Sequence, residues 1–127
     1  MSEQASSGIG ERDWRLYVDD MISFSEKVLS YTEGLDRQQF EASGLTYDAT
    51  VRNLELIGEA ATHIPSIVRD HAPHIQWREI IALRNRLIHG YLGIDNDTLW
   101  SVINEDVPSL LDALLALKKT TDENPIR

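Results

Sequence analysis

The helical character of the chain is clearest in residues 13–32, DWRLYVDDMISFSEKVLSYT. Large apolar residues recur there at intervals of three and four positions, at Trp14, Tyr17, Met21, Phe24, Val28 and Tyr31. That spacing aligns them along one face of an α-helix and is typical of a helix packed nearly parallel to its neighbours. We therefore predict a first long helix over 13–32 with these residues directed inward.

Two more long helices are predicted in the middle of the chain. The first covers 46–63 and is ended by Pro65, and the second covers 76–89 and is ended by Gly90. Gly58 lies in the middle of the former helix, where a glycine costs about 1 kcal/mol relative to alanine. We expect another helix to pass close to Gly58, because such an approach compensates for the cost.

The C-terminal part of the chain predicts a fourth long helix, capped by Asp95 or Asp97. Pro108 should kink this helix, because proline lacks one backbone donor and crowds a carbonyl in the preceding turn. Short helical turns are predicted at 36–41 and 66–71. Together these elements predict an all-α, up-and-down bundle of four principal helices with short helical turns and a kinked last helix.

The chain has 127 residues, which is the size of one domain. It contains no cysteine, which excludes disulfides, a thiolate nucleophile and a zinc ribbon. We expect a helical domain over 11–119, between a disordered tail at 1–10 and a frayed tail at 120–127. No segment has the pattern of a secretion signal or of a membrane span. These observations predict a soluble, cytoplasmic protein.

The charge of the chain is unevenly distributed. The formal net charge is −9, which argues against nonspecific binding of nucleic acid through many phosphates. Residues 76–91, however, contain three arginines and one glutamate, a net charge of +2, which leaves −11 for the rest of the chain. A small basic patch on an acidic body suits a site for one or a few phosphates, or docking on a basic partner.

The residues that most resemble a chemical site stand at the end of the 76–89 helix and are Arg84, Asn85, Arg86, His89 and Tyr91. Gly90 can turn left-handed at low cost, so His89 falls in the last helical turn, near the surface. Asn85 lies one turn before His89 and can fix the orientation or tautomer of its imidazole. Arg84 is five positions back, about 140° around a regular helix. Arg84 and His89 can converge only if the helix unwinds at Gly90, or if a second copy of the chain brings its own site alongside.

Several histidines and a glutamate are possible metal ligands, but their spacing does not predict a metal site. They occur in HAPH at 71–74 and in EAATH at 59–63. Neither stretch has the Glu-x-x-His pairs of di-iron bundles or the His-Glu-x-x-His pattern of zinc proteases. We therefore expect no metal and no cofactor.

Arg84, His89 and Tyr91 form an Arg-x4-His-x-Tyr pattern that resembles the signature of the HepT-like branch of the HEPN superfamily. The resemblance extends to RNLELIGEA at 52–60, WREI at 77–80, GYLGID at 90–95, Trp100, and EDVP at 105–108. Several ordered segments with the tyrosine in place make the match specific. It covers the chain from about the first helix to Leu117.

The resemblance implies a dimeric, HEPN-like helical bundle that acts as a metal-independent ribonuclease with Arg84 and His89 as its catalytic residues and Asn85 and Arg86 in support. Members of this branch are usually toxins of toxin–antitoxin pairs, and the antitoxin is a minimal nucleotidyltransferase. That enzyme transfers AMP from ATP to the motif tyrosine, here Tyr91, and so silences the nuclease. The partners implied are an RNA substrate, a second copy of the chain and the antitoxin, with room for a larger complex.

These residue types suit the cleavage of RNA without a metal ion. The reaction needs a base for the 2′-hydroxyl proton, an acid for the leaving 5′-oxygen and positive charge for the phosphorane. His89 can serve as base or acid, and Arg84 stays charged and offers a planar fork of donors to phosphate oxygens. One histidine cannot easily fill both roles in one step, so a dimer that faces two motifs across a cleft would supply the second.

A second function is compatible with the same residues. In that alternative the chain is a non-catalytic helical dimer that binds a nucleotide, or that serves as the docking and modification target of the nucleotidyltransferase. His89 would then be a helix-capping residue without chemical duty, and Arg86 a solvated charge. Glu59 can be a surface carboxylate, a partner of Arg84 or an interface residue, and we favour a structural role for it.

Overall fold

The computed structural model describes residues 12–90 and 94–126, and within these ranges the chain is α-helical with no strand. In chain order the helices are α1 (Trp14–Thr32), α2 (Arg37–Ala42), α3 (Gly44–Ala61), α4 (Ser66–Arg69), α5 (Trp77–His89), α6 (Asn96–Ser101) and α7 (Val107–Glu123). A π-helical segment, Val102–Asp106, joins α6 to α7. The all-α, HEPN-like bundle predicted from the sequence is confirmed.

Side-chain caps explain where four of the helices begin, and Asp36 caps α2 by accepting the backbone N–H of Gln39. Asp13 caps α1 and Ser43 caps α3, each by accepting a backbone N–H in the first turn. Asp95 caps α6 by accepting the backbone N–H of Thr98 at 2.8 Å. Of the two residues considered as the cap of the last helix, Asp95 has that role, and the carboxylate of Asp97 forms an ion pair with α2 instead.

Helices α1 and α3 form the centre of the bundle. Helix α1 packs against α3 and α7, and α3 also packs against α5, so the order across the bundle is α5, α3, α1, α7. The core residues contributed by α1, α3 and α7 are Val18, Met21, Ile22, Val28, Leu54, Ile57, Ala60, Ala61, Val107, Leu114 and Leu117. Helix α5 therefore stands at the edge of the bundle, with α3 as its main support. No helix in the described ranges has the length and hydropathy needed to cross a bilayer.

The buried face of α1 differs from the predicted one. Met21 and Val28 are fully buried as predicted, but Tyr31 is 38% exposed and the other three predicted residues are only partly buried. Val18 and Ile22 are buried although the prediction did not include them. The reason is that α1 packs against two helices at once, so its buried face is wider than a narrow seam.

The interruption predicted at Pro108 takes the form of the π-helical segment. Pro108 lies in the first turn of α7, directly after that segment. There the N–H of Val107 donates to the carbonyl of Val102, five residues back instead of four. The wider turn lets the chain pass from α6 into α7 with the proline in the first turn of a helix, a position where its missing N–H is tolerated.

The end of α7 lies beyond the boundary predicted at residue 119. The helix continues to Glu123, and Thr121 is 3% exposed and donates its hydroxyl to the carbonyl of Leu117 at 2.9 Å. Ile126 also packs against the core. Residues 120–123 are therefore helical and not a frayed tail. The tail predicted at 1–10 lies outside the described residues.

Candidate active site

Helix α5 carries four of the five predicted site residues, and local interactions explain where it begins and ends. At its start Trp77 is buried and donates its indole N–H to a backbone carbonyl at 3.1 Å. At its end Gly90 has a φ of +62°, which favours glycine, and its N–H donates to a carbonyl of the last turn at 3.3 Å. His89 therefore lies in the last helical turn and is exposed, as predicted. Tyr91 lies outside the described residues.

Helices α3 and α5 approach each other closely at Gly58, so the predicted close approach is confirmed. A Cβ atom built on Gly58 would overlap the Cβ of Arg84 and would lie 2.9 Å from its Cγ and 3.1 Å from the carbonyl oxygen of Ile80. Only a residue without a side chain fits there without displacing α5. The stem of Arg84 is therefore pressed against the backbone of α3.

The guanidinium of Arg84 lies between α3 and α5 and has partners on both helices. One Nη atom forms an ion pair with the carboxylate of Glu59 on α3. The other Nη atom donates to the Oδ1 atom of Asn85 at 2.9 Å. The Nε atom is buried and has no hydrogen-bond partner among the described residues. The side chain as a whole is 27% exposed, so it is held in place and still accessible from one side.

Glu59 links Arg84 to a row of side chains that extends to α1. Its second carboxylate oxygen is 3.6 Å from the Nε2 atom of His63. The imidazole of His63 stacks on the ring of Tyr17, with 4.5 Å between ring centroids and 14° between planes. The guanidinium of Arg12 also lies over the Tyr17 ring, 4.6 Å from its centroid. Of the three roles considered for Glu59, the structure supports the one as partner of Arg84.

Arg84 and His89 do not converge within one chain by unwinding of the helix. Helix α5 is continuous from Trp77 to His89 and ends only at Gly90. Because the two positions are five residues apart on a regular helix, their side chains leave it about 140° apart. The role predicted for Asn85 toward His89 stays a prediction, and the contact shown for the Asn85 amide is the one with Arg84.

Arg86 faces a different surface from Arg84. It is exposed at the edge of a groove of about 600 Å³ between α5 on one side and α6, the π-helical segment and α7 on the other. Apolar residues of α3, α5 and α7 line the floor, among them Leu54, Ile80, Leu83 and Leu110. The groove exists because α5 packs on α3 and leaves its opposite side open.

Two carboxylates near this groove have altered acidity. The pKa of Asp95 is lowered, first because the backbone N–H of Thr98 donates to its carboxylate, and to a lesser extent because Arg86 is nearby. The pKa of Asp106 is raised by partial burial and by the negative charge of Glu105. The positive charge of Arg86 thus acts on the start of α6, away from the Arg84 side of the helix.

Residues 12–90 and 94–126 contain no group of three or more His, Asp or Glu side chains arranged to hold a metal ion. His63 and Glu59, which the sequence offered as possible metal ligands, contact each other, and His63 also stacks on the Tyr17 ring. The contacts of His63 were not predicted, although its position four residues after Glu59 was a usable signal. The stacking on Tyr17 had no such signal, because it depends on how α1 lies against α3.

Comparison with known proteins shows which family the chain resembles. The family model described as "Ribonuclease HepT-like" matches residues 21–117, which include α3 and α5. A protein of Methanocaldococcus jannaschii that is named as a predicted RNase is 35% identical over 102 residues, 80% of this chain and 94% of the relative. A "Probable ribonuclease HepT" of Thermococcus cleftensis is 35% identical over 109 residues, 86% of this chain and 99% of the relative.

The similarity is not confined to archaeal proteins. A protein of Caldanaerobacter subterraneus, also named as a predicted RNase, is 30% identical over 96 residues, 76% of this chain and 86% of the relative. No solved structure is a significant match to the chain. The matched regions contain both the Glu59 and the Arg84 segments of the site described above. The chain belongs to the HepT-like ribonuclease family.

Proposed function

We propose that this protein is the ribonuclease toxin of a toxin–antitoxin pair and that it cleaves RNA without a metal ion, using Arg84 and His89. The proposal depends on one observation: the chain belongs to a ribonuclease family, and its Arg84 lies between α3 and α5. Its guanidinium is fixed between α3 and α5 and is partly accessible, and an exposed histidine ends the same helix.

The chemistry assigned to Arg84 follows from its unused donors. A guanidinium has five N–H groups, and one on each Nη atom is engaged by Glu59 and Asn85. The second N–H of each Nη atom is left to bind phosphate oxygens and to stabilise the charge that develops on the phosphorane. Asn85 holds the guanidinium, and Arg86 adds a second positive charge to α5, on the face toward the groove.

His89 supplies the proton transfers, and a homodimer supplies the second histidine. As the base, one imidazole takes the proton of the 2′-hydroxyl as that oxygen attacks the phosphorus atom. As the acid, a second imidazole gives a proton to the departing 5′-oxygen, which leaves a 2′,3′-cyclic phosphate. Helix α5 supports a dimer because it is at the edge of the bundle and because Ile88, beside His89, is 48% exposed.

We infer that the antitoxin is a minimal nucleotidyltransferase that silences the toxin at Tyr91. The phenol oxygen would attack the α-phosphate of ATP, with AMP transferred to the tyrosine and pyrophosphate released. The added phosphate and adenosine would stand two residues from His89, where the phosphate of the substrate has to bind. Charge repulsion and bulk then exclude RNA.

The direct test is cleavage of a mixed-sequence RNA by the purified protein in EDTA. We expect the wild type to cut the RNA, and Arg84→Ala and His89→Ala to lower the rate by about 10²–10⁴-fold. Arg78→Ala is the control for loss of an exposed α5 arginine, and His71→Ala is the control for loss of an exposed histidine. Helix content measured by circular dichroism should be the same in all five proteins. Undiminished cleavage by His89→Ala would contradict the proposal.

The alternative is a non-catalytic helical dimer that binds a nucleotide or serves as the target of the nucleotidyltransferase. The net charge of −11 outside residues 76–91 favours it, because an acidic body complements a basic partner. The wild-type protein, incubated in a second experiment with the nucleotidyltransferase and ATP without EDTA, separates the two functions. AMP addition to Tyr91, detected by mass spectrometry, together with no RNA cleavage by the unmodified protein would establish the alternative.

A further inference from the structure

Two adjacent residues of α3 act on opposite ends of the Arg84 side chain. Gly58 admits the Cβ and Cγ atoms of Arg84 against the α3 backbone, so the stem of the arginine has little room to move. Glu59 binds the guanidinium at the far end. An arginine held at its stem and at its tip has few rotamers left.

The buried Nε atom of Arg84 indicates that other interactions hold the guanidinium in place. That atom is buried and lacks a hydrogen-bond partner in the part of the chain that the structure describes. Burial of an unpaired N–H is unfavourable, so the arginine would leave this position if nothing else held it. The interactions that hold it are the ion pair with Glu59 and the hydrogen bond to Asn85. The one with Glu59 joins opposite charges and reaches across to another helix.

Glu59 is itself held from the side away from Arg84. His63 approaches its second carboxylate oxygen, and Tyr17 of α1 supports the imidazole by stacking. These contacts link the carboxylate to a neighbour on α3 and, through the imidazole, to α1. A carboxylate restrained in this way can direct the tip of a partly restrained arginine better than a freely rotating surface glutamate can.

We propose that Glu59 is the positioning residue of the active site and that it sets the orientation in which the Arg84 guanidinium presents its remaining N–H groups to a phosphodiester. This inference rests on the proposed function of Arg84. Glu59 acts through the arginine and does not touch the reacting atoms. Its removal misdirects the guanidinium, and a misplaced catalytic group lowers the rate of the chemical step more than it weakens binding.

The experiment compares Glu59→Gln with Glu55→Gln. Glu55 lies one turn earlier on α3 and pairs with Arg52 at 3.2 Å, so its variant also removes one paired carboxylate from the helix. We expect Glu59→Gln to lower kcat by about tenfold or more and to change KM by less than about twofold. Glu59→Asp, which keeps the charge on a shorter stem, should recover part of kcat. Glu55→Gln should leave both constants within about twofold of the wild type.

A double-variant comparison distinguishes positioning from a general structural effect. Arg84→Lys keeps a cation but loses the planar fork that Glu59 directs. If Glu59 acts through Arg84, adding Glu59→Gln to Arg84→Lys lowers kcat by less than about threefold, compared with tenfold in the wild type. Equal losses in the two backgrounds would overturn the proposal, as would an unchanged kcat in Glu59→Gln.

The orientation of Arg84 can also be followed without any cleavage assay. The buried Nε–H group should give a slowly exchanging ¹⁵N–¹H signal in nuclear magnetic resonance spectra, assigned by its absence from Arg84→Lys. We expect the signal in the wild type and in Glu55→Gln, and fast exchange or a changed position in Glu59→Gln. An unchanged signal in Glu59→Gln would overturn the proposal. If the wild type cuts no RNA, the proposed function fails, and this spectrum still decides whether Glu59 orients the arginine.

Discussion

Helices α1 and α5 show how differently two helices of one bundle use their residues. Helix α1 buries residues along its whole length, from Val18 to Thr32, between α3 and α7. Helix α5 buries only Trp77, at its first position, and its other apolar residues are partly or largely exposed. The sequence of α1 is therefore set by the core of the chain. The sequence of α5 is constrained mainly by its contact with α3 and by the side chains that it exposes on the surface.

This difference separates stability from function along the chain. Substitutions in α1 remove buried apolar surface, which is the main source of folding free energy. The exposed substitutions in α5 remove groups that the core does not need. The Arg84–Glu59 ion pair belongs to the second class, because both side chains are partly exposed and such pairs contribute about 0–1 kcal/mol to stability. The pair matters for the orientation of the Arg84 guanidinium and not for the free energy of unfolding.

The largest effect on stability is expected from Met21→Ala. Met21 is fully buried, and truncation of such a side chain lowers the free energy of unfolding by about 2–5 kcal/mol. Ile88→Ala on α5 is the matched control and, at a protein concentration low enough to favour the monomer, should change it by no more than about 0.5 kcal/mol. Urea unfolding measures both values. A loss for Ile88→Ala at low concentration as large as that for Met21→Ala would contradict the contrast, whereas a loss that grows with protein concentration would show that a second copy covers Ile88, as the proposed homodimer requires.

Gly58→Ala should have an intermediate effect, because it introduces a methyl group where α3 packs closely against α5. The new methyl group meets the stem of Arg84 and the carbonyl of Ile80, and overpacking of this kind costs about 1–3 kcal/mol. The gain in helix propensity, about 1 kcal/mol, offsets part of this cost. We expect a lower free energy of unfolding and slower RNA cleavage.

Gly44→Ala provides the control for the Gly58 variant. Gly44 is also a residue of α3, but a Cβ atom there meets nothing within 4 Å. Its variant should therefore be neutral or slightly stabilising in the same unfolding experiment and should cleave RNA like the wild type. Equal effects of the two variants would mean that the approach of α3 and α5 at Gly58 is not tight in solution.

The smallest effect concerns the cap of α6 at the edge of the groove. The pKa of Asp95 in the folded protein lies below its ordinary value of 3.8, because its carboxylate accepts the N–H of Thr98. The charged carboxylate therefore stabilises the fold above about pH 4, and this stabilisation is lost as the pH falls through the lowered pKa. Thermal unfolding can be measured from about pH 7 down to about pH 3. The loss of thermal stability on acidification should be smaller for Asp95→Asn than for the wild type. The same loss in both proteins would contradict the assigned cause.

The sequence predicted the elements of the fold well where local chemistry fixes them. The helix predicted over 13–32 agrees with the observed helix Trp14–Thr32. They agree because Asp13 is a residue type that caps helices and can be recognised in the sequence. The sequence also predicted that the last helix is interrupted near Pro108. It did not predict a π-helical segment. In that segment a backbone N–H donates to the carbonyl five residues earlier, and this pattern depends on the packing of α6 and α7 as well as on the proline.

The candidate site was predicted in part. The end of α5 and the exposure of His89 followed from Gly90, and the close approach of a helix followed from Gly58. That Arg84 is the residue approaching Gly58 did not follow, because the sequence does not give the register of α3 against α5. The row from Glu59 through His63 to Tyr17 likewise depends on tertiary packing that no local pattern encodes.

The adjacency of Gly58 and Glu59 makes this contact sensitive to insertions and deletions. In an α-helix each residue adds 1.5 Å of rise and about 100° of rotation. Gain or loss of one residue earlier in α3 would therefore bring a side chain into the gap and turn the carboxylate away from the arginine at once. Descendants of this chain can tolerate length changes in their loops, but within this helix an insertion would have to be balanced by a nearby deletion to preserve the enzyme.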